Sequence, residues 1–456
     1  MLVRTPLQSS DTMENAAHIC CLYLYPLMVM DAFRHSWSRA VNKFEPAPQR
    51  EWGLASTLIQ RPACSATVGA WLDLTAGPVS VVTPDLREKP MVATLVDAWG
   101  QSSAVTRFFQ PGDASIRRCV FVGPDKSAGS IDAANGDLCR VGTRQAWLRI
   151  DIVGRTDADY DAIRYFAGKC RVFPEHRRRG ALPRQAQFVL KTPHRRVANL
   201  GAEPFFCIAM HLLELNPQTE SESEPDLATA MQMLRLKSGR RFSLLDFTPA
   251  TAEAIKRGVR EACARVGATH DATARGLAEN WSCRSTDAQA PASAEPISHQ
   301  GYLRRAANAR MAPYQCHPGD LTLLRTSVDS EGRALTGAQR YRLHFKPEAL
   351  PRLDVFWTLA LIGKHACSVL KGANRSIGNR HPFVVNNDGS FDIIIESSSS
   401  TSWGVANWLR PPGGQFALQF DMMRSRGGDD IELFPPPSIE RFARPLAVHV
   451  RRELVH

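Results

Sequence analysis

The sequence predicts a mainly β protein with α additions (α+β), in which two β-sandwich domains are joined by a helical bridge. Its 456 residues are too many for one hydrophobic core. Short strand-like runs occur in the first and last parts of the chain, those of the first part punctuated by Gly-Pro pairs, and the strongest helical pattern lies between them. We expect a first sandwich at 1–202, a bridge at 203–283, a flexible linker at 284–300 and a second sandwich at 301–456.

The chain begins with an apolar segment at residues 18–30, which we interpret as a buried helix or turn. It is too short to cross a bilayer, and no basic cluster or small-residue cleavage site flanks it. The eleven cysteines are spread out, with no Cys-x-x-Cys and no zinc spacing, as is typical of free thiols in a reducing compartment. We therefore expect a cytoplasmic protein without a membrane span.

The β pattern of the first domain starts near Ala70 and continues to Val153. Apolar or β-forming runs occur at 70–74, 79–83, 89–99 and 118–122. Residues 145–153 alternate, with Leu148 and Ile150 on one face and Arg149 and Asp151 on the other. This alternation predicts a half-buried strand.

The middle of the chain predicts a helix. Thr248 is a candidate N-cap ahead of Pro249, and Gly267 occupies a C′-like position. The second domain returns to strands, at residues 341–345, 353–361, 391–396 and 416–422. A turn signal, Asn387-Asp388-Gly389, precedes the third of them.

The overall charge is +11, and the arginines occur in scattered pairs and triplets rather than in one long run. No nucleic-acid-binding motif accompanies them, so we interpret most of them as solvated surface residues and expect no nucleic-acid partner. A small-molecule ligand or substrate is the expected partner. Assembly into a homo-oligomer stays open.

Sequence signatures of familiar catalytic chemistry are absent. The chain has no G-x-G-x-x-G, no Walker loop, no G-x-S-x-G and no H-E-x-x-H. No two histidines have the spacing of a metal-ligand pair. We therefore expect no metal and no cofactor.

Asp97 and Trp99 follow an apolar strand, a position where a carboxylate is expected to have a structural or functional role. One interpretation makes Asp97 a catalytic acid/base, with Trp71 and Trp99 as stacking walls of a cleft. The alternative is that Asp97 ends the strand and accepts backbone hydrogen bonds.

Four further tryptophan and arginine positions are candidates for the same site. Arg149 and Arg375 could hold an anionic group, although Arg149 could equally pair with Asp151. Trp357 and Trp408 could line a pocket, or pack in a core or at a domain interface. The predicted catalytic residues are Asp97 and Arg149, and the predicted substrate-binding residues are Trp71, Trp99, Trp357, Arg375 and Trp408.

Several motifs together resemble a known two-module family. Residues 23–31 (YLYPLMVMD), 70–82 (AWLDLTAGPVSVV), 95–99 (LVDAW) and 122–124 (VGP) resemble its N-terminal module, domain of unknown function 1254. Residues 302–309 (YLRRAANA), 354–359 (DVFWTL), 374–380 (NRSIGNR), 388–390 (DGS) and 407–409 (NWL) resemble its C-terminal module, domain of unknown function 1214. Residues 206–217, which end in Leu-Asn-Pro, are similar to the segment that joins the two modules.

The resemblance implies two jelly-roll-like sandwiches joined by helices, and a link to xenobiotic or secondary-metabolite handling without an established reaction. This chain departs from the family pattern at Cys64-Ser65-Ala66-Thr67-Val68-Gly69, where relatives usually carry a polar Asn/Asp-Thr-x-Tyr-Ser stretch, and at Arg410, where proline is usual. Any site built on the first of these segments is altered here.

Two functions remain open from the sequence. One is a cofactor-independent tailoring enzyme, a hydrolase, isomerase or cyclase, that acts on a small organic molecule in a secondary-metabolite or xenobiotic pathway. The other is a non-catalytic ligand-binding or accessory protein of such a pathway. The first requires Asp97 to lie in a concave cleft.

Overall fold

The structure is a computed structural model of the full chain. It describes residues 10–37, 40–46, 65–84, 91–105, 116–124, 137–153, 157–174, 193–217, 225–237, 239–276, 281–283, 299–311, 321–347, 355–363, 374–379, 381, 383–397, 407–424, 436–442 and 450–455. These residues form seven α-helices and twenty strands, with the strands arranged in five sheets. The predicted α+β, mainly β class is confirmed.

The N-terminal strands make a two-sheet sandwich. The inner sheet has the order β1-β2-β8-β4-β5, with bounds Phe44–Pro46, Ser65–Asp73, Gln145–Val153, Met91–Asp97 and Ser102–Ala104. The outer sheet has the order β7-β6-β3-β9, with bounds Asp137–Arg140, Ile116–Val122, Val79–Pro84 and Arg171–Pro174. Every second residue of β8, such as Leu148 and Ile150, enters the core between the two sheets.

The C-terminal strands repeat this arrangement. The inner sheet has the order β10-β11-β18-β13-β14, with bounds Ser282–Cys283, Leu321–Thr326, Phe416–Arg424, Val355–Gly363 and Ser376–Gly378. The outer sheet has the order β17-β16-β12-β19, with bounds Trp408–Leu409, Phe391–Ile395, Tyr341–Phe345 and Ile439–Arg441. A separate pair joins β15 (Phe383–Asn386) to β20 (Val450–Val455). Aromatic rings around Phe345 fill the core.

The helices form a third core. Their bounds are α1 Ser10–Trp37, α2 Asp157–Lys169, α3 Pro193–Asn199, α4 Ala202–Leu215, α5 Pro225–Met233, α6 Pro249–Gly276 and α7 His299–Met311. All but α2 contribute buried residues to this core, and α1 lies at its centre. Gly258 of α6 lets the two longest helices touch, because a Cβ there would lie 2.1 Å from the Glu14 carbonyl oxygen of α1.

The N-terminal helix is longer than its sequence suggested. The apolar segment 18–30 lies within the 28-residue α1, which continues through Pro26. By length and composition, α1 could cross a membrane, but most of its apolar stretch is buried among the other helices. The helix α6 also exceeds its predicted end, since Gly267 lies inside it and faces the Arg310 side chain.

The two sandwiches meet through their inner sheets. Val92 and Val153 of the first sheet form one apolar cluster with Leu323, Phe356 and Met423 of the second. The same faces also carry charged residues, because strand alternation places every second side chain there. Most of the predicted linker (284–298) lies outside the described residues, and its last two residues begin α7. The predicted domain boundaries stay a prediction.

Candidate functional site

Asp97 is the last residue of β4 and closes a tight turn. Its Oδ1 accepts hydrogen bonds from the backbone N–H groups of Trp99 (2.9 Å) and Gln101 (2.8 Å). Gly100 has a φ of 81°, which glycine adopts without a steric penalty. The turn therefore fixes one carboxyl oxygen of Asp97 in place.

The Asp97 side chain lines a cleft of about 270 Å³ at the edge of the N-terminal sandwich. Leu95 and Val141, both buried, contribute apolar surface, and Arg140 is exposed. We call this the Asp97 cleft. Its lining residues are Leu95, Asp97, Trp99, Gln101, Ser102, Ser103, Arg140, Val141, Gly142 and Thr143.

Burial raises the pKa of Asp97 from 3.8 to about 6. The backbone N–H groups of Gln101, Trp99 and Gly100 act in the opposite direction, because they stabilise the charged carboxylate. Desolvation of the carboxyl is therefore the larger effect. At neutral pH a group of this pKa is present in both protonation states, which suits general acid/base work.

Trp99 is fixed behind the cleft by the end of α4. Its indole N–H donates to the backbone carbonyl of Asn216 (3.2 Å). The Asn216 side chain in turn accepts from the backbone N–H of Gln145 (3.0 Å), at the start of β8. The Tyr23 ring of α1 lies 5.2 Å from the Trp99 ring, centroid to centroid. The helical core thereby holds one wall of the cleft.

Thr143 connects the cleft to both neighbouring strands. Its hydroxyl accepts from the backbone N–H of Ala98 (3.1 Å) and donates to the carbonyl of Gln145 (2.6 Å). The side chain is buried, so both of these bonds are shielded from water. The Thr143 hydroxyl therefore stabilises the backbone around the cleft rather than binding a ligand.

Arg149 lies on the opposite face of the inner sheet from Asp97. In the antiparallel pairing of β4 with β8, Arg149 is paired with Thr94. Asp97 lies three residues beyond Thr94 along β4, and an odd number of residues along a strand leads to the opposite face. Arg149 is fully buried, and its Nε lies 2.6 Å from an oxygen of Asp151. Asp151 also accepts a hydrogen bond from the Thr67 hydroxyl (2.5 Å). The structure does not bring the two predicted catalytic residues together.

The same face of the C-terminal inner sheet carries a second polar chain. Arg325 donates from Nε to the Gln419 amide oxygen (2.8 Å), and Gln419 donates to Asp421 (2.6 Å). All three side chains are buried. The two inner sheets therefore bury charged groups that have hydrogen-bonding partners, as stable buried charges require.

Two of the predicted tryptophans are core residues. Trp71 stacks on Trp147 (6.2 Å between centroids) and packs edge-on against Phe33 of α1, away from the Asp97 cleft. Trp357 stacks on Phe420 (5.6 Å) within the C-terminal sandwich. Packing in a core, rather than lining a pocket, therefore describes both Trp71 and Trp357.

Arg375 and Trp408 lie close to each other in the C-terminal sandwich. Arg375 immediately precedes β14, and its guanidinium donates to the backbone carbonyl of Arg410, two residues after Trp408. The indole N–H of Trp408 donates to the carbonyl of Glu396 (3.0 Å). Of the predicted site residues, only Trp99 lines the Asp97 cleft together with Asp97.

The sequence reasoning missed Arg140, Thr143 and Asn216. Arg140 and Thr143 come from the chain before β8 and reach the cleft only through the pairing of strands and loops. Asn216 belongs to the Leu-Asn-Pro motif, but no local sequence pattern shows what its side chain contacts. In the altered segment, Ser65–Gly69 begins β2, and Cys64 lies outside the described residues. Among the residues that the structure describes, no group of three His, Cys, Asp or Glu could hold a metal.

Comparison with known proteins gives two family matches. The family "Protein of unknown function (DUF1254)" matches residues 52–174, and "Protein of unknown function (DUF1214)" matches residues 321–426. No curated protein matches the chain.

Two solved structures are similar to this chain. The VPA0106 protein from Vibrio parahaemolyticus has a TM-score of 0.62 and 16% identity, covering 95% of this chain and 100% of that one. An uncharacterized protein from Burkholderia cenocepacia has a TM-score of 0.45 and 11% identity, covering 95% and 94%. At this identity, the likeness to the Vibrio protein concerns the fold alone.

Proposed function

We propose that this chain, which belongs to the proteins that carry a DUF1254 module ahead of a DUF1214 module, is an enzyme. These modules have no assigned reaction. From the Asp97 cleft, we propose proton-transfer chemistry on a small organic molecule. Asp97 is the proposed general acid/base. Hydrolysis, isomerisation and cyclisation all contain such a step. The observation that carries the proposal is an ionisable carboxyl, with a pKa of about 6, in a concave cleft.

The geometry of Asp97 supports this role. The two N–H groups on Oδ1 orient the carboxyl, which limits the conformational freedom lost during reaction. Among the residues that the structure describes, no charged side chain contributes to the shift in its pKa. The carboxyl therefore keeps its proton-transfer capacity instead of being held ionised by an ion pair.

The cleft indicates the class of substrate. A volume of about 270 Å³ lies just below the usual range for small-molecule sites, so the substrate is a compact organic molecule. Leu95 and Val141 offer apolar contact, and Arg140 offers a cation for an anionic substituent. A secondary-metabolite or xenobiotic pathway, operating in the reducing cytoplasm, is part of the proposal. The seven cysteines whose side chains the structure describes are free thiols, which supports that compartment.

A non-catalytic binding role is the second candidate. The two hydrogen bonds from Trp99 and Gln101 are also what an aspartate makes when it only closes a turn. In that case the cleft would bind the same class of molecule without converting it.

Metabolite profiling separates these functions. A strain lacking the gene should accumulate a compound, and the purified full chain should consume that compound. Binding without consumption would favour the accessory role. If no compound accumulates, and no extract component binds the purified chain, both proposals are wrong.

A further inference from the structure

Two arginines meet in the C-terminal sandwich, where the start of β14 approaches the end of β17. The Arg375 guanidinium donates to the backbone carbonyl of Arg410. The backbone N–H of Arg410 donates to the carbonyl of Asn374 (2.8 Å), and that of Leu361 donates to the carbonyl of Arg375 (2.8 Å). These bonds hold the two backbone segments together, so that Arg375 and Arg410 lie side by side in the sandwich.

Neither guanidinium has an acidic partner among the residues that the structure describes. The Nε of Arg375 is buried and has no hydrogen-bond partner there. Burial lowers the pKa of Arg375, and the positive charge of Arg410 lowers it further. Both effects disfavour the charged form of Arg375, and a bound anion would reverse them.

The sequence around the pair is free of acidic residues. Neither residues 361–387 nor residues 397–420 contain Asp or Glu, and the first stretch also carries Lys364, Lys371 and Arg380. Glu396 directly precedes the second stretch, and its carboxylate already accepts a hydrogen bond from the Nε of Arg340 (2.5 Å). These two stretches of sequence therefore supply no carboxylate of their own to neutralise the two arginines.

We propose that Arg375 and Arg410 form an oxyanion-binding site for the phosphate or carboxylate group of a small soluble ligand. Half-buried Arg375 supplies the inner contact and exposed Arg410 the outer one. Guanidinium groups suit this role because their planar N–H groups bind two oxygens at once. A phosphate dianion should bind more tightly than a carboxylate, since it meets two positive charges with two negative ones. This site is separate from the Asp97 cleft and does not depend on the proposed reaction.

Isothermal titration of the full chain with inorganic phosphate, and separately with acetate, tests the site in a buffer of low ionic strength. The wild type should bind phosphate saturably, and Arg410→Gln should weaken the binding at least tenfold, in line with the loss of one charge-assisted contact. Because the Arg410 side chain is exposed, this variant should fold normally. Arg375→Gln should have the same or a larger effect.

Arg441→Gln is the matched control, since Arg441 is an exposed arginine of β19 in the same sandwich. It removes the same charge elsewhere and should leave phosphate binding unchanged. Saturable acetate binding that Arg410→Gln weakens would also support the site, and would identify its ligand as a carboxylate. Absence of saturable binding to the wild type with either anion would overturn the proposal, as would an equal loss in Arg441→Gln.

Discussion

Asp151 and Asp97 both belong to the inner sheet of the N-terminal sandwich, yet their surroundings differ. Asp151 is fully buried, with the Arg149 guanidinium 2.6 Å away and the Thr67 hydroxyl bonded to it. Asp97 lies at the end of its strand and lines a cleft, and its hydrogen-bond partners in the described part of the chain are backbone N–H groups. The first carboxylate is neutralised within the protein, whereas the second is not.

This difference shows why burial alone does not identify a functional residue. A buried charge with a matching partner is compensated inside the protein and has no capacity left for a ligand. A carboxyl that is desolvated without a cation has a raised pKa and can exchange a proton. We therefore expect removal of Asp151 to change stability, and removal of Asp97 to change activity.

The largest effect is expected from Asp151→Asn, because it leaves Arg149 buried without its counter-charge. The free energy of unfolding, measured by urea titration, should fall by about 3–5 kcal/mol. The double variant Arg149→Met/Asp151→Leu removes both charges and should recover most of the loss. A loss below about 1 kcal/mol in Asp151→Asn would contradict the structural role of the pair.

Asn216→Ala should have an intermediate effect, since it strips the partner from the buried N–H of Gln145. We expect a loss of about 1–3 kcal/mol in the free energy of unfolding. The exposed Asn199→Ala is the control and should change stability by no more than about 0.5 kcal/mol. Equal losses in the two variants would show that Asn216 does not brace the cleft.

Asp97→Asn should change the pH dependence of stability. In the folded protein the pKa of Asp97 is about 6, and its ordinary value is 3.8, so between these values the folded state holds a proton that the unfolded chain has lost. The resulting stability is present at low pH and is lost as the pH rises through about 6. Relative to Asp97→Asn, the wild type should therefore lose about 2 kcal/mol between pH 4 and pH 7. Parallel stability curves would mean that the Asp97 carboxyl has an ordinary pKa.

Arg140→Gln should have the smallest effect on stability, because Arg140 is exposed. The free energy of unfolding should stay within about 0.5 kcal/mol of the wild type. Binding of an anionic compound that accumulates in the deletion strain should nevertheless weaken, since the cleft loses a cation. Unchanged affinity for that compound would remove Arg140 from the site.

The sequence predicted the fold better than the site. Alternation in residues 145–153 predicted strand β8, and the motif resemblance predicted both modules. Position along a strand also placed Asp97 at a strand end. The sequence could not show that Trp71 and Trp357 lie in hydrophobic cores. A tryptophan that lines a pocket and one that fills a core have the same local sequence pattern. The pairing of Arg149 with Asp151 was visible as an alternative, since both share one face of the strand.

Complementation of the deletion strain tests the central claim that Asp97 is the proton-transfer group of the cleft. Asp73→Asn is the matched control, because Asp73 also ends a strand of the same sheet and accepts the Thr75 N–H (3.0 Å) without lining the cleft. Strains carrying Asp97→Asn should accumulate the same compound as the deletion strain, and strains carrying Asp73→Asn should not. Normal metabolite levels with Asp97→Asn would contradict the account.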